Sequence, residues 1–197
     1  MSLGTSALIT AQEYRDFIGQ TDANAGREQP TIETHINSAS TFIARYCHRT
    51  FIVPASAADW IFDGNGTQEK YAADWPILAS PTPTLKWFDG ATWQTVTGAW
   101  TYTAANGLLY FTDANYFWGG KRNYKLTCKA GYAITDVPQD LKYACAQFIF
   151  RALRKIVDKQ EGVASESFDA HSISFSLDKL PPDLKMILDS HKAVVIG

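Results

Sequence analysis

The sequence predicts an α+β protein, a small bundle of about four helices with a β-rich antiparallel insertion between the second and third helices. Three observations predict it. Apolar residues recur at helical spacing towards both ends of the chain. Short β-branched and aromatic runs fill the middle, and paired turn residues separate those runs. The expected boundaries are 4–54 for the N-terminal helices, 55–133 for the insertion and 134–197 for the C-terminal helices, which pack with 4–54 as one bundle. Met1-Ser2-Leu3 reads as an appended tag.

Thr10-Ala11-Gln12-Glu13 is a capping box, in which the Thr hydroxyl accepts from the Glu13 amide while the Glu13 carboxylate reaches back to the cap. Tyr14, Phe17 and Ile18 follow at helical spacing, and Gly19 ends this short helix. Residues 20–30 are polar and turn-rich. Pro30 suits the first turn of a second helix over about 30–48, where its missing N–H does no harm. Ile32, Ile36, Ala39, Phe42, Ile43 and Tyr46 form its apolar face; Glu33, Asn37, Thr41, Arg45 and His48 form the polar one. Arg49, Thr50 and Phe51 then lead into an extended segment that ends at Pro54.

All six tryptophans lie between Trp60 and Trp118. Turn signals recur at Asp63-Gly64-Asn65-Gly66, Asp89-Gly90, Asn106-Gly107 and Gly119-Gly120. Between them stand β-prone runs at 60–62, 84–88, 93–96, 100–102, 108–111 and 124–127. This pattern predicts an antiparallel meander, with hairpins turning at Asp89-Gly90 and Asn106-Gly107.

After Pro138 the helical period returns. Leu141, Ala144, Cys145, Phe148, Ala152 and Ile156 trace one face, and Ile149, Leu153 and Val157 widen it, so this helix is expected to be largely buried. Residues 159–179 are Ser-rich with a weak strand signal at Phe168, Ile173, Phe175 and Leu177, and are expected to be flexible until a partner orders them. Pro181-Pro182-Asp183 opens a last helix with Leu184, Ile187 and Leu188 on one side. The chain ends in an apolar stub, Ala193 to Gly197.

Composition narrows the function. A net charge of −2 and a pI near 6.1 argue against a protein that coats nucleic acid, which needs clustered Lys and Arg. The best candidate for a local basic face is Lys142, Arg151, Arg154, Lys155 and Lys159. Cys47, Cys128 and Cys145 are widely spaced, as expected of buried free thiols in a reducing cytosol. No run approaches the length of a membrane span, and no basic stretch followed by an apolar run marks a signal peptide.

No catalytic residue, cofactor site or metal site is expected. His35, His48, His171 and His191 lack metal-ligand spacing, and no phosphate loop, dinucleotide fingerprint or nucleophile elbow is present. Cys47 and His48 are neighbours, but adjacent helical positions point about 100° apart, which disfavours a nucleophile–base pair. Asp59, Asp63, Asp74, Asp89 and Asp113 lie among the aromatics, read chiefly as turn residues with sugar binding as the lesser reading. A region of this size buries only part of so many rings in its own core, which leaves two equal readings for Trp60, Trp75, Trp93, Trp100 and Trp118: interface anchors for some of them, or core packing alone.

Several segments carry a family likeness. They are Leu8-Ile9-Thr10 through Phe17-Ile18-Gly19, Ile32 through Tyr46-Cys47-His48-Arg49-Thr50-Phe51, Asp63-Gly64-Asn65-Gly66 and Trp75-Pro76-Ile77. Further along come Gly131-Tyr132, Val137-Pro138-Gln139-Asp140-Leu141, and Leu180-Pro181-Pro182 with Ile187-Leu188. In this order they resemble the head–tail connector (adaptor) proteins of tailed bacteriophages and their prophage remnants. The resemblance implies a non-enzymatic virion protein. It would form a ring matching the portal's twelvefold symmetry, join the portal to a tail or stopper protein, and extend the DNA channel without gripping DNA or meeting a membrane. Assembly would take place in the host cytoplasm, and the final location would be the head–tail junction.

The resemblance also implies site roles. Arg45, Leu188, Val194, Val195 and Ile196 are placed at the portal or subunit interface, and Trp60, Trp75, Trp93, Trp100 and Trp118 on the tail side. Two other classes make different demands. A carbohydrate- or ligand-binding β module on a helical base requires exposed, coplanar tryptophans with polar neighbours. A hydrolase requires convergent carboxylates or Cys47 beside a histidine.

Overall fold

The computed structural model describes residues 2–20, 25–159 and 180–193. The chain forms two compact units, one from Met1–His48 with Ile134–Lys192 and the other over Arg49–Ala133.

In the helical unit, α1 (Ala11–Ile18) begins with the expected capping box. The Glu13 amide donates to the Thr10 hydroxyl at 3.1 Å, and the Thr10 amide donates to the Glu13 carboxylate at 2.7 Å. Gly19 closes the helix in the left-handed conformation, φ 69°. The second helix, α2, runs Ala25–Cys47 and so starts a turn before Pro30. Proline is tolerated there because the carbonyl it leaves unpaired lies in the first turn. Gln29 ties that turn down by accepting from Arg15 at 2.8 Å and donating to Glu33 at 2.7 Å.

A 3-10 turn at Ile134–Asp136 leads into α3 (Gln139–Lys159), and α4 is Pro182–Ser190. Ile36, Ala39 and Ile43 of α2, Leu141, Cys145 and Ile149 of α3, and Leu184 and Leu188 of α4 are fully or almost fully buried together with Leu8, Ile9 and Tyr14. Each large side chain so buried stabilises the unit by about 1.5–3 kcal/mol. Polar contacts set the register of α4. Cys47 donates to the Leu188 carbonyl at 3.4 Å, Tyr46 donates to Asp189 at 2.7 Å, and Arg151 pairs with Asp183 at 2.7 Å.

The β unit holds β1 (Ala58–Gly64), β2 (Glu69–Tyr71), β3 (Thr84–Phe88), β4 (Trp93–Thr95), β5 (Trp100–Thr103), β6 (Leu108–Phe111) and β7 (Gly120–Cys128). The simple meander is corrected to two sheets, ordered β1-β7-β3-β4 and β2-β6-β5. All ladders are antiparallel. Hairpins form at both expected turns, joining β3 to β4 and β5 to β6. The long strand β7 inserts between β1 and β3 and pairs with both, so Leu126 lies opposite Trp60 on one side and Leu85 on the other. Its alternating pattern turns Tyr124, Leu126 and Cys128 into a core with Phe62, Ile77, Leu109, Phe111 and Phe117.

Residues 49–54, grouped with the helices on sequence, join this unit. Ile52 bridges Tyr132, the Val53 amide donates to the Tyr132 carbonyl at 3.0 Å, and the Tyr132 amide donates to the Phe51 carbonyl at 2.6 Å. Gly131 makes this approach possible. Its φ is 118°, and a Cβ there would stand 2.7 Å from the Phe51 carbonyl oxygen. The expectations for residues 160–179 and for Val194, Val195 and Ile196 lie outside the described residues.

Candidate interaction surfaces

The helical unit carries a groove of about 300 Å³ between α1 and α3. Phe17 and Tyr143 stand in it edge to face, 6.0 Å apart, and remain 37% and 44% exposed. Ile9 and Ala146 line its floor. The groove exists because Phe17 occupies the last turn of a short helix, past the point where the core accepts side chains. Tyr143 points away from the Leu141, Cys145 and Phe148 face of α3.

The rim is acidic. Lys142, nearly buried, pairs with Glu13 at 2.6 Å. Burial acts to raise the Glu13 carboxyl, but Lys142 together with the Thr10 amide and hydroxyl outweighs it and holds Glu13 below the usual carboxylate range. Asp16 accepts a hydrogen bond from Gln12 at 2.8 Å and has no cationic partner among the described residues.

Within the expected basic face, Lys142 is taken by Glu13 and Arg151 by Asp183, whereas Arg154 is exposed beside the Phe150 ring; the side chains of Lys155 and Lys159 lie outside the described residues. Arg45 is exposed in the last turn of α2, where a cation also suits the helix dipole. Leu188, expected at an interface, is fully buried, so it holds α4 to the bundle and presents no free side-chain surface.

The β unit separates its tryptophans by depth. Trp60 stacks on Phe62 at 4.2 Å, and Trp60 and Trp100 pack against the core. The Trp75 ring lies 3.4 Å from the Arg49 guanidinium carbon, and Arg49 also donates to the Trp75 carbonyl. Trp93 leans on Phe88 at 5.3 Å with Lys125 over its ring at 5.0 Å. Trp118 is 53% exposed.

Trp118, Tyr116 and Trp87 line an open groove of about 200 Å³. Trp87 was not expected there. Phe117, fully buried, anchors the loop that carries Tyr116 and Trp118. Asp113 braces the same loop, and the amides of Asn115 and Ala99 hold its carboxyl below the ordinary range. Rings meet at 57° between Trp87 and Trp118 and 49° between Tyr116 and Trp118. That is a cleft, not the coplanar platform that sugar stacking requires.

Reactive groups are shielded. Burial pushes the Cys145 thiol up to about 12 and the Cys128 thiol up to about 11, so both stay protonated at neutral pH. Cys47 is buried and faces Leu188, whereas His48 is exposed, so the two do not form a nucleophile–base pair. His35 is buried in α2, and desolvation lowers its pKa and keeps it neutral. Among the described residues no group of three or more His, Cys, Asp and Glu is placed to hold a metal ion, and no helix is long and apolar enough to cross a membrane.

Phe17, Tyr143 and Met186 were not foreseen as surface features. The available signal was an aromatic or methionine standing off the apolar stripe of its own helix, as Tyr143 and Met186 do.

Comparison with solved structures finds the same fold in particle necks. A chain of the neck of an empty gene transfer agent (GTA) particle, computed with C6 symmetry, is 13% identical with a TM-score of 0.61; the match covers 100% of this chain and 95% of that one. A chain from the virion of a native GTA particle is 14% identical with a TM-score of 0.61, over 100% and 95%. A chain of a native GTA neck computed with C12 symmetry is 13% identical with a TM-score of 0.59, over 100% and 94%. No curated protein matches the sequence. The family model described as "Head completion protein" matches residues 7–194, nearly the whole chain, and the chain therefore belongs to the head completion protein family.

Proposed function

We propose that this chain is a structural part of a phage-like virion. It forms a ring at the head–tail junction, joins the portal to the next tail or stopper protein, and lengthens the channel through which DNA passes. The observation that carries the reading is the full-length match, by family and by fold, to proteins of head completion and of particle necks. The C6 and C12 symmetries of those necks support a ring. A near-neutral, slightly acidic chain suits a channel wall that must let DNA slide.

In this reading Arg45 and the C-terminal Val194, Val195 and Ile196 meet the portal or the neighbouring subunit. Trp118, the tryptophan with an exposed side chain among the described residues, and the half-buried Trp93 face the tail. Trp60 and Trp100 pack against the core, and Trp75 serves as the stacking partner of Arg49. Assembly takes place in the host cytoplasm. The test is electron microscopy of the purified chain mixed with its cognate portal. A ring of extra density on the portal's outer end is expected, and an unchanged portal would overturn the proposal.

A further inference from the structure

The groove between α1 and α3 has a matching feature elsewhere on the same unit. Met186 of α4 is 73% exposed, the most exposed large apolar side chain among the described residues. It points away from the bundle, because Leu184 and Leu188, two positions to either side, are both fully buried. Lys185, beside it, is exposed and makes no ion pair among the described residues. Both acids of α4 are already paired, Asp183 with Arg151 at 2.7 Å and Asp189 with Lys192 at 2.6 Å.

We propose that Met186 and Lys185 of one copy seat in the α1–α3 groove of the next, and that this contact propagates the ring. The proposal rests on the ring reading above. Three features fit. An unbranched thioether suits an irregular groove of about 300 Å³ whose walls are the Phe17 and Tyr143 rings, since sulfur packs favourably against aromatic edges. The charges complement each other, because Lys185 brings a cation to the rim where Asp16 lacks one.

The geometry also prevents the contact within one copy. The α4 helix lies along the side of α3 that carries Asp140 and Arg151, held by the His191–Asp140 contact at 2.7 Å and the Arg151–Asp183 pair. The groove uses Gln139, Lys142, Tyr143 and Ala146, on another side of α3. Two different surfaces that complement each other only between copies make a heterologous interface, the kind that closes into rings.

The test is cross-linking between full-length chains. Gln139→Cys at the groove on one tagged chain is mixed with Ser190→Cys, one turn from Met186, on another and treated with a short bismaleimide, which leaves Phe17, Tyr143 and Met186 in place. The three native thiols are buried and react slowly. The mixed pair should cross-link well above a control in which exposed Thr95 carries the cysteine in place of Ser190. Adding Asp16→Lys to the groove chain should cut the yield about tenfold, and adding Lys185→Asp to its partner should restore it. A yield equal to the control, or one indifferent to both charge changes, overturns the proposal. Portal mixing separates the two ideas: if Asp16→Lys and Met186→Glu chains still ring the portal, the ring reading stands and this contact is wrong. If the unaltered chain forms no ring, the ring reading itself falls.

Discussion

Replacing Phe117 by alanine tests whether the loop behind the Trp118 groove is part of the β core. Phe117 is fully buried and packs 4.9 Å from Phe111, 5.2 Å from Tyr124 and 5.8 Å from Phe62, centroid to centroid. Its backbone also closes the unit. Its amide donates to the Thr67 carbonyl at 2.8 Å, and its carbonyl accepts from Gly66 at 2.7 Å. Truncating a buried phenylalanine removes its transfer energy and leaves a cavity, together about 4 kcal/mol. With a urea dependence of about 2 kcal/mol per molar, the unfolding midpoint falls by roughly 2 M. All six tryptophans belong to the Arg49–Ala133 unit, so their fluorescence follows that unit alone while circular dichroism at 222 nm follows mainly the helices. Phe117→Leu keeps part of the volume and should lose only about 1–2 kcal/mol. A loss below about 1 kcal/mol for the alanine variant would mean that the aromatic cluster does not hold this loop, and the reasoning would fail.

Arg49→Met should destabilise the β unit by about 2–3 kcal/mol, read by the same fluorescence melt. It removes the stacking on Trp75 and Phe51 and the hydrogen bond to the Trp75 carbonyl while keeping most of the buried stem. Gly131→Ala should cost at least about 2 kcal/mol or leave the chain insoluble, because a Cβ there meets the Phe51 and Val53 backbone at 2.7 and 2.8 Å; a melt matching the unaltered chain would refute this. For Glu13→Gln the sign follows from its lowered carboxyl. The Lys142 pair stabilises above the unfolded carboxyl value and is lost as pH falls through the folded one. Glu13 is partly exposed, so the difference from the unaltered chain at pH 7 should be about 0.5–1 kcal/mol and should vanish in acid; a pH-independent gap would count against the ion pair.

Local chemistry was readable wherever a few neighbouring residues decide it. The α1 capping box, the Gly19 stop, the Asp89-Gly90 turn and the Asn106-Gly107 hairpin all form as expected. At Asp89 the amides of Thr92 and Ala91, with the Gln94 side chain, hold the carboxylate down to about 2, the sign of a turn built around one acid. Strand β2 was missed because Glu69-Lys70-Tyr71 has no apolar run of its own; it forms by pairing with β6. The extra first turn of α2 was missed because Pro30 reads as a start, and the Arg15–Gln29 contact that supports the turn comes from another helix.

The candidate surfaces divide in the same way. The sequence announced an aromatic-rich insertion and amphipathic helices, and it carried a family pattern that the comparison confirms. It did not distinguish Trp60 from Trp118, because alternation assigns a face to a ring but does not say what covers that face. Patterning over a few residues settles which segments turn, cap and bury a stripe, since those energies are local. Strand order, the depth of each tryptophan, the burial of Leu188 and the unfilled side of Phe17 and Tyr143 depend on partners far along the chain. Such pairings are chosen by how whole apolar faces close against one another, and that free energy exists only once the chain has folded.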